Sequence, residues 1–139
     1  MSHDREWGSV TLWLLGLATM CMVLGGLAVD LGRAFSERRA LAAAADAAAL
    51  AGAGALDEAR YRADGSVVLD PAAAEARARR SLAAQLDRSA LRISVVRADA
   101  ASVTVTVEGD VELTLLRLVQ GGAPFTVRVS ATAAPHLRR

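Results

Sequence analysis

The chain has no lysine and no asparagine, a single cysteine, three prolines, and two histidines, His3 and His136, placed near opposite ends of its 139 residues. One cysteine, Cys21, excludes an internal disulfide and a cysteine-held metal cluster. Two remote histidines with no ligand pattern around them give a metal nothing to bind, so none is expected. The chain also lacks a nucleophile paired with a base, a carboxylate pair in a recognisable site, and a glycine-rich phosphate loop. It therefore reads as a non-enzyme without a cofactor. All 16 basic residues are arginine and 15 acids nearly cancel them, leaving a net charge of +1. Nucleic-acid binding needs a concentrated basic footprint, which this balance withholds. The preference for arginine and alanine reflects a GC-rich genome more than a function.

Charge is missing altogether from Trp7 to Val29. At 1.5 Å per residue, Gly8 to Val29 spans about 33 Å as a helix, the thickness of a hydrocarbon core. Lipid offers backbone amides no partner, so the segment is expected to be helical, with Trp7 at headgroup level. A cleavable secretory signal with Gly26-Leu27-Ala28 as its cut site is the competing reading. Against it, residues 1–7 carry one arginine against two acids, and the apolar run exceeds the 7 to 15 residues typical of such signals. An uncleaved anchor is the preferred reading. Only Arg5 precedes the span, whereas Arg33, Arg38 and Arg39 follow it. Counted alone, the positive-inside rule puts the C-terminal domain in the cytoplasm.

Beyond Val29 the stretch DLGRAFSERRALAAAADAAALAGAGAL has no proline and is rich in strong helix formers, so the helix is expected to continue to about Ala51, where Gly52 and Gly54 begin to break it. Asp30 with Arg33, and Arg33 with Glu37, are spaced to pair along its surface. The small side chains of Ala42 to Ala49, interrupted by Asp46, allow close approach of another element, either within the chain or from a neighbouring copy. Asp57 to Leu69 reads as a loop around Asp64-Gly65. Asp70-Pro71 opens a second helix to about Leu86, with Ala74, Ala78, Leu82 and Leu86 on one side and Arg77 and Arg80 turned to solvent.

The last third alternates with period two. Leu91, Ile93 and Val95 form one apolar phase and, after a turn at Asp99–Ala101, Val103, Val105 and Val107 form another that continues through Val111 and Leu113. A long strand with an irregularity at Gly109 is expected, then a short helical turn at Leu115–Val119. A third strand follows, with Phe125, Val127, Val129, Ala131 and Ala133 resuming the odd, apolar phase. The expected fold is α+β: one N-terminal transmembrane helix running into a long helix, with a small three-stranded antiparallel sheet packed against helix, a lollipop. The divisions are a tail at 1–7, a span at 8–29, a helical extension at 30–56 and an α+β domain at 57–139.

Three stretches, REWGSVTLWLLGL, GLAVDLGRAFSERRAL and ADAAALAGAGAL, together resemble the TadE/TadG-like proteins of the Flp, or tight-adherence, pilus system in their short form. The resemblance covers residues 5 to 56. It implies a single-pass protein with its domain outside the cytoplasmic membrane, acting as a minor pilin or assembly factor beside other pilin-like subunits and an inner-membrane platform, with self-association among its options. Two features depart from the family. Prepilin processing wants a glutamate five positions beyond the small residue at the cut, and here Trp13 stands five beyond Gly8. The large metal-bearing domain of longer TadG proteins has no room in this chain. Asp30, Gly32, Arg33, Arg38, Arg39 and Asp46 are the candidate packing residues, because a charge near an apolar boundary gains most from a complementary partner. The rival from another class is a bitopic adaptor with a cytoplasmic domain, unrelated to pili.

Overall fold

The computed structural model describes residues 4–86, 93–111, 113, 114, 121 and 125–135, with side chains from residue 9 onward except Ile93. The elements run α1 (Asp4–Ala53), α2 (Glu58–Asp64), α3 (Pro71–Gln85), β1 (Ile93–Ala98), β2 (Val103–Val111) and β3 (Phe125–Ala133). The fold is α+β, as expected. The helical turn anticipated at Leu115–Val119 and the strand start at Leu91 lie outside the described residues. Two compact units divide the chain: Met1–Phe35 with Glu112–Pro124, and Ser36–Val111 with Phe125–Arg139.

In the second unit the sheet is an antiparallel meander in the order β1-β2-β3. Central β2 buries Val103, Val105, Val107, Gly109 and Val111 and turns Thr104, Thr106, Glu108 and Asp110 the other way. Its pairing with β3 runs unbroken from Val103↔Ala133 to Val111↔Phe125, so Gly109 opposite Val127 introduces no register irregularity. The polar face carries a ladder of cross-strand partners. Thr104 meets Thr132 at 3.1 Å, Thr106 meets Ser130 at 3.1 Å, Thr126 donates to Asp110 at 2.9 Å, and Arg128 pairs with Glu108. Such pairs contribute about 0.2–1 kcal/mol each and oppose any slip of the register.

The first strand corrects the sequence reading. Val96↔Val105 and Ala98↔Val103 place the even residues on the buried face; Val96 is 6% exposed whereas Val95 is 41% exposed. The consecutive valines 95 and 96 left the phase ambiguous. The turn decided it: the Asp99 amide donates to the Ser102 carbonyl at 2.9 Å, and that closure makes Ala98 the partner of Val103. A second correction falls in the expected loop, where Glu58–Asp64 forms a helix. Asp57 caps it by accepting the Arg60 amide at 3.1 Å, and Gly65 ends it in the left-handed region at φ 73°. Helix α3 begins as expected, with Asp70 accepting the Ala73 amide at 3.1 Å and proline in its first turn, and it buries Ala74, Ala78 and Leu82.

The part of α1 within this unit buries Leu41, Ala44, Ala45, Ala48, Ala49, Gly52 and Ala53, a stripe at helical spacing made almost wholly of small residues. Gly52 does not break the helix, which runs two residues past the expected end. A Cβ there would lie 3.0 Å from the Ala74 carbonyl oxygen and 3.0 Å from Val103 Cγ1, so glycine is required by close approach. After it, the Ala55 amide turns back to the Gly52 carbonyl at 2.9 Å, and Arg77 Nη1 donates to the Gly54 carbonyl at 2.9 Å. A cation beside the carbonyl end of a helix complements its dipole.

Candidate functional site

In the first unit, every residue of α1 from Ser9 to Gly25 is exposed, including Leu12, Trp13, Leu14, Leu15, Met20 and Met22. A water-soluble helix hides such side chains; this one presents them all round, the arrangement of a segment whose surroundings are lipid. Its most apolar 18-residue window has a mean hydropathy of 2.1 with none of it buried, and the helix is long enough and apolar enough to cross a membrane. Thr19 inside it is satisfied locally: its Oγ1 donates to the Leu15 carbonyl at 2.8 Å.

Asp30, the first charge after the apolar run, is 1% exposed. Its Oδ1 accepts the Thr114 backbone N–H at 3.0 Å, and Arg33 Nη1 donates to the Thr114 hydroxyl at 3.3 Å. A buried carboxylate is costly unless hydrogen-bonded, and a charge-assisted bond to a main-chain amide is among the stronger means of holding it. Two residues one helical turn apart thus grip the same threonine, 84 and 81 positions away along the chain. The sequence reading had directed Arg33 to Asp30 and Glu37; nothing in the local pattern of α1 points to Thr114, because the group bound by Asp30 is a backbone amide that every residue but proline possesses. Gly32, the remaining candidate in this unit, is exposed with no atom within 4 Å of where a Cβ would stand.

Arg38, Arg39 and Asp46 belong to the second unit, and all three are exposed. Arg39 and Asp46 share their side of α1 with Ala43 and with Leu50, which is 71% exposed. The structure therefore separates the candidates into an intrachain clasp on Thr114, made by buried Asp30 and exposed Arg33, and an outward face that includes Arg39 and Asp46. No cluster of three or more potential metal ligands occurs among the described residues.

No curated protein and no solved structure matches this chain. Residues 8–55, the apolar segment together with the alanine-rich helix that follows it, match the family model of putative Flp pilus-assembly TadE/G-like proteins, on the same stretch whose motifs carry the resemblance.

Proposed function

We propose that this chain is a membrane-anchored minor pilin or assembly factor of a Flp-type pilus, held by the apolar part of α1 with its α+β domain outside the cytoplasmic membrane. It acts by helix packing against other pilus subunits and the inner-membrane platform, and performs no catalysis. The observation that carries this reading is the coincidence of the TadE/G-like match at 8–55 with a helix that is apolar and exposed on all sides and then small-residued. Packing between membrane helices is driven by close backbone approach and a few polar contacts; the small-residue stripe is buried within the chain's own domain, which leaves the exposed apolar part of α1 and the outward side of its extension for other subunits.

A bitopic adaptor with a cytoplasmic domain is favoured by one observation, the three arginines that follow the span against one before it. Protease treatment of intact spheroplasts separates the two readings, coupled to pilus counts in a strain lacking the gene. Digestion of the domain before lysis, together with loss of surface pili that the wild-type gene restores, is the expected outcome. Protection of the domain until lysis would exclude the external topology, and normal piliation without the gene would exclude the role in assembly.

A further inference from the structure

The outward face of α1 in the second unit carries Arg39, Ala43, Asp46 and Leu50, spaced 4, 3 and 4 residues apart so that they lie on one side of the helix. All are exposed, and neither Arg39 nor Asp46 has an ion-pair partner among the described residues. The opposite side is filled by buried Ala44, Ala45, Ala48 and Ala49. This face is complementary to itself, but only when displaced. Two parallel copies side by side at equal height set Arg39 against Arg39 and Asp46 against Asp46, which repel. Shift one copy by seven residues, two helical turns or about 10 Å, and Arg39 of one meets Asp46 of the other, while Leu50 of the second comes over Ala43 of the first. One displacement thus satisfies both the charge match and a large-on-small apolar contact.

We propose that the partner of this face is a second copy of the chain, parallel and displaced by two helical turns. An antiparallel pair would also match the charges, but both copies enter the bilayer through the N-terminal part of the same helix, and a shared membrane excludes it. The contact is heterologous: it uses Arg39 of one copy and Asp46 of the next, and leaves a complementary charge open on each. Contacts of that kind extend into open arrays instead of closing into dimers. This inference rests on the pilus reading for its setting, since fibre assembly supplies such a displacement.

The test uses the full chain with Cys21→Ser, in mild detergent that imposes no common depth, as two variants, Ala43→Cys and Leu50→Cys, mixed and oxidised. The expected result is a 43–50 disulfide in at least threefold excess over both the 43–43 and 50–50 products. Arg39→Asp should abolish that excess and the double exchange Arg39→Asp with Asp46→Arg should restore it. A dominant 43–43 product, as an antiparallel or unshifted pair gives, would overturn the proposal, and so would crosslinking indifferent to the charge exchange. Circular dichroism of each variant confirms that the fold is retained. If the 43–50 product forms but the gene proves dispensable for pili, the pilus reading fails and the self-contact stands. If pili need the gene but the product is absent, this proposal alone fails.

Discussion

Gly52 and Asp99 are two positions where a single side chain controls local geometry in opposite ways. At Gly52 the absence of a side chain lets α1 approach α3 and β2. Alanine would gain up to about 1 kcal/mol of helix propensity, less in a last turn, yet its Cβ would press on the Ala74 carbonyl, which cannot rotate away. Overpacking of this kind costs about 1–3 kcal/mol. Gly52→Ala is therefore expected to destabilise by about 1 kcal/mol or more in urea unfolding of the solubilised chain. Gly54→Ala, whose Cβ would meet the Ala51 carbonyl at an ordinary 3.5 Å, should be nearly neutral. At Asp99 the side chain accepts the Ala101 amide at 2.8 Å and the Ser102 amide at 2.7 Å, and these bonds to the charged form hold its pKa below the ordinary aspartate value. A depressed pKa contributes stability that is complete above the unfolded-state value and is lost as pH falls through the folded one. Acid titration should show wild type losing stability in that window relative to Asp99→Asn, which keeps an acceptor oxygen but no charge; parallel curves would contradict the assignment. Asp64, held down in the same direction by its hydrogen bonds to Ser66, is removed from the comparison because both proteins contain it.

Among the elements, β2, β3 and α3 were legible because each carries one unambiguous period over many residues. Odd residues of β2 and β3 are apolar throughout, and α3 opens on an aspartate cap and a proline. Helix α2 was not legible: seven residues, EARYRAD, contain no apolar stripe and bury nothing, so only its two ends, Asp57 and Gly65, mark it. The face of β1 was not legible either, since ISVVRA supports both phases until its partner is known. That assignment can be measured. Val96→Ala should cost about 2 kcal/mol, the loss of buried methyls plus a cavity, while Val95→Ala on the open face should cost under about 0.5 kcal/mol. A larger loss for Val95→Ala than for Val96→Ala in denaturant unfolding would return β1 to the odd phase of the sequence reading.

For the molecule as a whole, the candidate residues near the membrane edge show where reading a chain locally stops. Asp30 and Arg33 look from the sequence like members of a helix-surface pair. In the fold both reach Thr114, which follows β2 in the chain, and Asp30 is buried. Arg39 and Asp46 stay outside, as their spacing on one helix allowed, and it is their exposure that makes them available to a neighbour. The amino-acid sequence by itself determined the features that rest on runs and periods: the uncharged span, the small-residue helix, the β alternation and the TadE/G-like resemblance. Tertiary structure decided the rest, namely which phase of β1 faces inward, why Gly52 is glycine and what Asp30 binds. Each of those depends on a partner distant along the chain, often a backbone amide or carbonyl, and such groups are the same at nearly every residue and so leave no mark in composition or spacing.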